Sequence, residues 1–398
     1  MKAAWHDMRV NMAAHPVMWP AARVLGRIGG VRAVPALGLV INDAATAHDV
    51  LSRDREFLKN GRGSIAAVMT QAFGPDALAN MDGESHRRFR QRLGVLAEPV
   101  HAERWLAASE APFVHALDAL SRGETVDFSA VARAFSGRLT LALLGATPAL
   151  PEAELNSAAR DVHALGERIA GSLRLAPLSG GALERVQADH ARLLGFARDA
   201  FASDDLPAES LVARLKALGC SEQETRGVLS IFFVAGSLTL GVAIPRLIAL
   251  LADTDSFRRI RDEPELLNGA VDEGMRFICP VPATLRVAAH DTQVAGRPVR
   301  GGSRIVILTA NCARDESLFP DGARFDMTRR HDPRARYLWF GAGPHFCMGF
   351  ALAQRSLRHV IGRMAALSGG LEIARRVPAQ GVLLPAWSRL DVQLNPRG

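Results

Sequence analysis

Most of this chain carries apolar residues at the three- and four-residue spacing of amphipathic helices. The spacing is clearest over residues 100–120, 150–200 and 221–277, which are rich in Ala, Leu and Arg. Residues 36–42 and 282–310 instead hold short apolar runs separated by glycine turns, and these predict strands. The pattern therefore predicts a mainly α fold with a small β portion.

The strongest predicted element is a long helix that begins after Ser221. Ser221 and Glu224 have the spacing of a capping box, in which each side chain accepts a hydrogen bond from the other residue's backbone N–H. From there to about residue 252 the chain is apolar on nearly every side, which is typical of a helix buried within a large protein. We expect its hydrogen-bond ladder to loosen or bend at three central residues, Gly236, Gly241 and Pro245.

Composition places the chain among globular proteins, since 48% of its 398 residues are hydrophobic and 22% are charged. That length suits one large domain or two ordinary ones. Because no repeat, low-complexity tract or long linker is visible, we expect residues 1–398 to form one domain. No segment is expected to span a bilayer, which takes about 18 uncharged apolar residues, and no signal peptide is expected. The sequence thus predicts a soluble, cytoplasmic monomer with no membrane partner.

The formal net charge of +7 raises the question of a nucleic-acid partner. However, the basic residues are dispersed, and the chain has one tyrosine and no basic stripe interleaved with aromatic residues. We therefore expect no nucleic-acid binding. The excess charge reflects either an arginine-rich composition or a basic face for an acidic redox protein.

Four widely spaced cysteines form no CxxC pair, so we expect free thiols: Cys220, Cys279, Cys312 and Cys347. Only Cys347 has glycine-rich surroundings, in the segment 339–349, Trp-Phe-Gly-Ala-Gly-Pro-His-Phe-Cys-Met-Gly. Glycines let a backbone adopt positive φ and approach a flat ligand closely. A helix predicted from residue 350 would also place the sulfur in a field that favours the thiolate. Cys347 could thus ligate the metal of a planar macrocycle, although a buried free cysteine in a tight turn is the alternative.

The segment matches the Phe-Gly-x-Gly-x-His-x-Cys-x-Gly signature of the cytochromes P450 at its six fixed positions, and the chain resembles that family. The resemblance implies the cytochrome P450 fold, with the long central helix over a haem b (iron protoporphyrin IX). It implies that the Cys347 thiolate is the axial ligand of the iron. Four further positions of the motif are implied to contact the haem: Phe340, Gly341, His345 and Gly349.

A second motif lies upstream, where Glu273 and Arg276 are one helical turn apart. Taken alone, the pair fits a solvated surface ion pair. Pro280 then ends the helix, and Arg286 follows in the first strand of the 282–310 region. This order resembles the K-helix region of cytochromes P450, in which the Glu–Arg pair holds the core beneath the haem and the strand arginine meets a haem propionate.

Two further stretches resemble the family. His86 and Arg90 lie four residues apart, and such a pair can donate charge-assisted hydrogen bonds to a propionate, although a basic helix face is more often solvated. The stretch is similar to the family's C-helix entry, with Gly-Glu-Ser at 83–85 in place of the more usual Pro-Pro-Glu. Residues 311–329 resemble the segment before the haem loop, which implies a structural role for Arg329.

The long helix departs from the family pattern, which is usually Ala-Gly-x-Glu/Asp-Thr-Thr. The acid and the alcohol of that pattern relay protons during dioxygen activation. Here residues 235–240 read Ala-Gly-Ser-Leu-Thr-Leu, so the apolar Leu238 occupies the position of the acid and cannot transfer a proton. Ser237 is polar, but it lies about 100° further round the helix.

The resemblance implies that Ala235 and Gly236 contact the haem and that Thr239 is the catalytic alcohol. Ser237 is a second catalytic candidate. The alternative for Thr239 is that its hydroxyl bonds to the carbonyl four residues earlier in its own helix. Ordered water could then take the place of the missing acid.

The function that the resemblance implies is that of an oxidoreductase, a monooxygenase that activates O2 with two electrons from a ferredoxin-type donor and its reductase. An apolar segment at 65–73 and the long helix would enclose a pocket for a lipophilic terpenoid, fatty or polyketide-like molecule, which is hydroxylated or epoxidised. Leu238 favours a first alternative with an atypical outcome, namely desaturation, oxidative coupling, carbon–carbon cleavage or the use of peroxide. A second alternative is a haem-binding sensor that turns over no substrate.

Overall fold

The structure is a computed structural model that describes residues 2–35, 37–74, 77–94, 99–145, 150–173, 178–203 and 206–395. Its helices are α1 (Lys2–Ala14), α2 (Met18–Arg27), α3 (Ala44–Ser52), α4 (Ile65–Phe73), α5 (Gly83–Arg92), α6 (Pro99–Ser109), α7 (Ala111–Ser121), α8 (Phe128–Leu144), α9 (Glu152–Ser172), α10 (Gly180–Ala202), α11 (Leu211–Ala217), α12 (Glu222–Ile231), α13 (Ser237–Asp253), α14 (Ser256–Asp262), α15 (Leu266–Ile278), α16 (Thr309–Cys312) and α17 (Phe350–Ala365). Its strands are β1 (Val31–Val34), β2 (Gly38–Ile41), β3 (Phe57–Leu58), β4 (Val126–Asp127), β5 (Thr284–Ala288), β6 (Thr292–Val294), β7 (Arg297–Val299), β8 (Arg304–Ile307), β9 (Gly370–Pro378) and β10 (Trp387–Asn395). The prediction of a mainly α fold with a small β portion is confirmed.

The strands of the described residues form three small sheets. The largest has the order β1-β2-β8-β5-β3, in which β2 and β8 run parallel and the other pairs are antiparallel. Within the region 282–310, where strands are predicted, β6 and β7 form a hairpin with Ala295 and Gly296 at positive φ in its turn. The third sheet, β4-β10-β9, was not predicted, and residue 36 of the predicted strand 36–42 lies outside the described residues.

The predicted helical regions are confirmed, although each contains more than one helix, and the region 221–277 contains α12 to α15. Residues 100–120 form α6 and α7, while residues 150–200 form α9 and α10, with 174–177 outside the described residues. The helix after Ser221 is continuous over Glu222–Asp253, and its predicted capping box is present, with bonds of 3.1 Å and 2.8 Å between Ser221 and Glu224.

The predicted loosening of this central helix occurs as one π-helical turn, Phe232–Gly236, between α12 and α13. It therefore lies just before and at Gly236, while Gly241 and Pro245 sit within the regular α-helix α13. Such π-helical turns are rare and occur often at functional sites.

The expectation that no segment has the length and composition of a membrane span is wrong for this helix. Residues 227–245 contain no charged residue, and the helix holds an 18-residue window with a mean hydropathy of 2.2. However, 67% of that window is buried inside the protein, and α13 packs against α8, α9, α15 and α17. The sequence pattern is that of a core helix.

Candidate haem-thiolate site

Cys347 lies in a tight loop immediately before α17, which begins at Phe350 as predicted. The Cys347 N–H donates to the Phe340 carbonyl at 3.0 Å, so the two ends of the loop are closed on each other. Gly341 and Gly343 have φ of 87° and 63°, the left-handed region that glycine adopts without strain. At Gly349 an added Cβ would meet only the Cys347 sulfur, at 3.9 Å, so the sulfur's side of the loop is open.

The expectation that the local field favours the thiolate is only partly supported. Burial raises the pKa of the Cys347 thiol, while the Gly349 N–H and the positive charges of Arg90 and Lys59 lower it. Burial has the larger effect, because a thiolate loses more solvation than a thiol in an enclosed site. A bound metal ion would supply the remaining stabilisation, since coordination deprotonates a thiol outright.

Beside this loop is an enclosure rich in cations, which we call the cationic enclosure: Lys59, His86, Arg90, Arg286 and His345. Arg286 is 4% exposed and donates to its neighbour's backbone, the Leu285 carbonyl, at 2.8 Å. The Arg90 guanidinium donates to the Phe346 carbonyl. None of the ion pairs found among the described residues includes Lys59, Arg90 or Arg286.

The pKa values show how poorly these charges are compensated. Burial lowers the pKa of Lys59 to about 8 and that of Arg286 to about 10. Burial and the neighbouring His345 lower the pKa of His86 to about 4. A buried charge is stable only when a charge of opposite sign or several hydrogen bonds accompany it. The enclosure therefore needs anionic groups beyond the one carboxylate described next.

That carboxylate belongs to Asp82, which the sequence analysis did not identify. It accepts the backbone N–H groups of Lys59 and Asn60, at 3.0 Å and 2.6 Å, and the His345 Nε2–H at 3.1 Å. Asp82 thus joins the strand end at Lys59 to the Cys347 loop. Neither Asp82 nor Lys59 belongs to a recognisable motif, because their roles arise from contacts between segments distant in sequence.

The predicted Glu-x-x-Arg pair is fully buried, which excludes the surface alternative. Glu273 and Arg276 are 1% and 0% exposed and are joined by two hydrogen bonds of 2.6 Å and 2.7 Å. Glu273 also accepts from Arg329 and His331, each at 3.0 Å. Arg276 in turn donates to backbone carbonyls such as that of Gly322, at 2.8 Å. The pair therefore ties α15 to the segment before the haem loop, in agreement with the structural role expected for Arg329.

On the central helix, one narrow face is accessible while the rest is buried. Ala235 is exposed, and four residues near it are half-buried: Phe232, Gly236, Thr239 and Val242. The other residues from 225 to 251 are buried, apart from Arg226 and Ile231. Their spacing of three and four residues places them on one side. An accessible face in the interior of a core helix marks a cavity.

Thr239 lies on this accessible face, as the resemblance implies for the catalytic alcohol. Its hydroxyl donates to the Ala235 carbonyl at 2.6 Å, so the intrahelical bond that was the alternative reading of Thr239 is present. That bond uses the hydroxyl proton and leaves the oxygen lone pairs free to accept.

The structure does not place Ser237 on this face. Ser237 is 1% exposed, and its Oγ lies 3.2 Å from His163 Nδ1 on α9. His163 Nδ1 is also 3.3 Å from Ser136 Oγ, and its Nε2 is 3.4 Å from Glu167. Since two residues along a helix turn the side chain through about 200°, Ser237 and Thr239 point to opposite sides. A direct catalytic role for Ser237 is therefore no longer expected.

Leu238 is 6% exposed and packs in the apolar cluster beside Gly166 of α9. The residue at the acid's position thus serves as core, and no proton can pass through it. The sequence analysis missed His163, which was visible only as a lone histidine in an amphipathic helix.

The residues fit a flat metal-binding group that carries two carboxylates. The Cys347 sulfur can ligate the metal, and the accessible face of the central helix supplies open space in the core. Lys59, Arg90 and Arg286 can pair with carboxylates. His86 Nδ1 is buried without a hydrogen-bond partner in the described part of the chain, so a donor or acceptor is available there. These are the requirements of haem b.

Comparison with known proteins agrees with this fit. The sequence model described as "Cytochrome P450" matches residues 219–365, from the start of the central helix to the end of α17. The chain is 36% identical to the putative cytochrome P450 140 of Mycobacterium tuberculosis over 181 residues, 44% of this chain and 40% of that protein. It is 37% identical to the 6-deoxyerythronolide B hydroxylase of Saccharopolyspora erythraea over 150 residues, 37% of this chain and 36% of that protein. Both alignments span less than half of the relative's own length.

The fold similarity extends over almost the whole chain. P450BioI, solved in complex with an acyl carrier protein ligated to hexadec-9Z-enoic acid, superposes with a TM-score of 0.80 at 20% identity, covering 97% of this chain and all of that one. The chain therefore has the fold of the solved cytochromes P450, and its residues 219–365 match the sequence model of that family.

Proposed function

We propose that this protein is a haem-thiolate monooxygenase, which uses O2 and two electrons to insert one oxygen atom into a lipophilic small molecule. The observation that carries the proposal is the combination of Cys347 in its closed glycine loop with the accessible face of the central helix at Ala235 and Thr239. A ligand residue and an open face in the core are what substrate oxidation at a haem requires.

When bound, the haem supplies the redox chemistry, and its thiolate ligand favours cleavage of the O–O bond. The protein's own residues hold and orient the cofactor. We assign its iron to Cys347 and its carboxylates to His86, Arg90, Arg286 and His345, together with Lys59. Phe340, Gly341 and Gly349 form the loop surface, and Ala235 and Gly236 allow close approach from the other side because they have little or no side chain.

Proton delivery must occur without an acid at position 238. The Thr239 oxygen can accept a hydrogen bond on the accessible face and so can hold a water molecule there. We therefore assign to Thr239 the task of positioning the water that delivers protons.

The substrate is proposed to be a lipophilic molecule of the terpenoid, fatty or polyketide-like kind. The walls of the accessible region support this, because Phe232, Ala235 and Val242 offer apolar surface. The names of two similar proteins point the same way, since one hydroxylates 6-deoxyerythronolide B and the other was crystallised with a fatty acyl group.

The electron donor is proposed to be a ferredoxin-type protein with its reductase, in the cytoplasm. The net charge of +7 favours an acidic donor. A reducing cytoplasm agrees with the free thiols at all four cysteines.

The test is a reduced carbon monoxide difference spectrum of the purified protein, followed by substrate turnover. We expect a Soret band at the thiolate position, and Cys347→Ala should abolish it. A lipophilic library should then contain compounds that displace the axial water and shift the spin state, and these should yield oxygenated products with a ferredoxin system. Retention of the thiolate spectrum in Cys347→Ala would contradict the assignment, and spin shifts without any product would favour the sensor.

A second candidate is an atypical haem-thiolate enzyme, which the burial of Leu238 favours. An enzyme that uses hydrogen peroxide inserts one of its oxygen atoms into the substrate and releases the other as water, so the reaction needs no added electrons and consumes no protons from bulk water. Turnover with hydrogen peroxide alone that equals or exceeds turnover with ferredoxin, reductase and O2 would support this candidate. Leu238→Glu should then leave the product formed per peroxide consumed unchanged, whereas a monooxygenase limited by proton delivery should show a changed ratio of product to O2 consumed.

A further inference from the structure

Seven of the eight large hydrophobic side chains that are exposed in the described residues lie between residues 5 and 28. They belong to α1, α2 and the residues flanking α2, and we call them the residue 5–28 patch. Val17, Met18 and Trp5 are 79%, 62% and 50% exposed. A concentrated patch of this kind differs from the scattered exposed apolar residues of an ordinary surface and marks an interaction site.

The patch has the geometry of a regular apolar face. On α1, Trp5, Met8 and Met12 follow at intervals of three and four residues, so their side chains share one side. On α2 and its ends, Val17, Val24 and Ile28 follow at intervals of seven and four residues. The opposite sides of both helices face the core, where Val10 and Trp19 are buried.

Both helices are held firmly in this orientation. The Asp7 carboxylate of α1 pairs with Arg246 of the central helix at 2.6 Å and with Arg314 at 3.0 Å. The Ala22 carbonyl of α2 accepts from Asn311 at 2.8 Å. The outward position of the apolar residues is therefore specified by buried polar contacts and does not result from loose packing.

The segment that carries the patch has an excess of positive charge. Residues 2–35 contain five cationic side chains and one carboxylate, and that carboxylate, Asp7, is turned inward to its two arginines. Arg27 and Arg32 are exposed, and the Arg9 guanidinium lies 4.8 Å from the centre of the Trp5 ring. Arginine and tryptophan beside an apolar face are typical of segments that lie in the interface of an anionic membrane.

We propose that the residue 5–28 patch binds the surface of an anionic phospholipid bilayer, with α1 and α2 lying along the interface. Exposed apolar side chains enter the boundary of the acyl chains, and Arg27 and Arg32 contact lipid phosphates. This proposal differs from the sequence-based prediction of no membrane partner, which rested on the expected absence of a spanning segment and of a signal peptide. This proposal is independent of the catalytic function.

Two other occupants fit less well. A second copy of the chain in a twofold dimer would bring the same arginines of both copies together, and like charges would oppose the contact. An acidic protein would satisfy the arginines, but it would need an apolar surface matched in shape to the exposed side chains of both helices. A bilayer accepts an exposed apolar face without needing a matched shape.

A bilayer bound to the residue 5–28 patch would also lie beside the segment 381–384, which packs against an apolar cluster of the core. Gly381 donates to the Ala13 carbonyl of α1 at 3.1 Å, and His15 lies 3.0 Å from the Leu383 carbonyl. Leu383 and Leu384 of this turn pack against the apolar cluster that contains Leu238 of the central helix. The patch therefore adjoins a turn that reaches the cluster beside the accessible face.

The test is co-sedimentation of the haem-loaded full chain with two kinds of large vesicle. One kind is phosphatidylcholine alone, and the other contains about 40% phosphatidylglycerol, an ordinary content of anionic lipid. We expect binding to the anionic vesicles, weaker binding to the neutral ones, and loss of binding in high salt. Trp5→Ser/Met8→Ser should weaken anionic binding about tenfold or more. Arg27→Glu should weaken it about fivefold or more, while the same charge change at the exposed Arg300 of the β7–β8 loop should have little effect.

Circular dichroism and the haem spectrum would verify that each variant is folded. The proposal is overturned if the parent protein does not sediment with anionic vesicles, or if it binds both vesicle types equally and Arg27→Glu changes nothing. It is also overturned if sedimentation velocity shows a dimer that the Trp5→Ser/Met8→Ser variant dissociates, with no vesicle binding by the parent. None of these outcomes depends on turnover, so failure here leaves the monooxygenase proposal untouched.

Discussion

The imidazole rings of His86 and His345 stack on one another, with 4.0 Å between their centroids and 22° between their planes. His86 comes from α5 and His345 from the loop that carries Cys347, so the contact joins the two segments at the cationic enclosure. His345 donates to Asp82, whereas His86 Nδ1 is buried without a partner among the described residues. The stack thus leaves His86 Nδ1 available to a bound carboxylate.

The first prediction concerns that imidazole. His86→Phe should preserve the ring stack but remove the hydrogen bond, and we expect haem affinity to fall about tenfold, as for loss of one charge-assisted bond. Haem titration of the apoprotein would measure this, with His48→Phe at an exposed position as the control. Equal haem affinity of His86→Phe and the parent would remove His86 from the carboxylate set.

The second prediction separates the two hydroxyl residues of the central helix. Thr239→Val should lower the yield of product per O2 consumed, because it removes the oxygen that accepts on the accessible face. Ser237→Ala should leave that yield unchanged but cost about 1 kcal/mol of stability, because it leaves His163 Nδ1 with a weaker set of partners. Parallel assays of O2, peroxide and product check both, and a Ser237→Ala variant that uncouples would restore Ser237 as a catalytic candidate.

The third prediction concerns the buried Glu273. Glu273→Gln should reduce the free energy of unfolding by roughly 3–5 kcal/mol, because it leaves the buried Arg276 guanidinium without a countercharge. Asp332→Asn, which disrupts the exposed Asp332–Arg334 pair in the same segment, is the control and should leave the unfolding midpoint nearly unchanged. Urea unfolding measures both variants, and similar midpoints for the two would contradict the role of Glu273.

The fourth prediction is a pH dependence of stability. Burial alone would raise the pKa of Glu273, but hydrogen bonds from Arg276 and His331 lower it to about 2. Because the folded-state pKa lies below the unfolded one, the carboxylate's contribution is complete above about pH 4.5 and is lost as the pH falls towards 2. Thermal unfolding between pH 5 and 2.5 (roughly the range in which the unfolded carboxylate titrates) should show a steeper loss in the parent than in Glu273→Gln. Parallel slopes would disprove the assignment.

The fifth prediction compares two glycines of the haem loop. At Gly343, with φ of 63°, an added Cβ would lie 2.7 Å from the Leu51 carbonyl oxygen and from the Ser52 Cα, which are both backbone atoms of α3. At Gly341, with φ of 87°, the nearest atom would be 3.6 Å away. Gly343→Ala should therefore destabilise the protein and its haem binding more than Gly341→Ala, whose cost of about 1–2 kcal/mol comes from φ alone. Thermal unfolding and haem retention measure both, and the reverse order would contradict this loop geometry.

Much of the fold follows from local pattern. The central helix, its Ser221–Glu224 cap and the β6–β7 hairpin were predictable because spacing, capping and turn chemistry act between residues near in sequence. The pairing of β4 with β10 was not, because it joins residues more than two hundred positions apart in sequence. The local pairing of β9 with β10 in the same sheet was not predicted either. The burial of the central helix was also predictable, because a helix that is apolar on nearly every side is typical of a protein core.

The candidate site divides in the same way. Cys347, its glycine loop and the Glu273–Arg276 pair were identifiable from sequence alone, because each is a short motif whose chemistry depends on neighbouring residues. Asp82 and Lys59 became visible only in three dimensions, as did the bond between Ser237 and His163.

The sequence by itself therefore determined the candidate metal ligand and the mainly helical architecture, because both depend on residues close together in the chain. Only the tertiary structure decided which hydroxyl of the central helix, Thr239 or Ser237, reaches the accessible face. It also decided which side chains form the cationic enclosure beside the Cys347 loop, and that the apolar residues of α1 and α2 point outward. Each of these outcomes depends on how distant segments pack, and no local pattern encodes that packing.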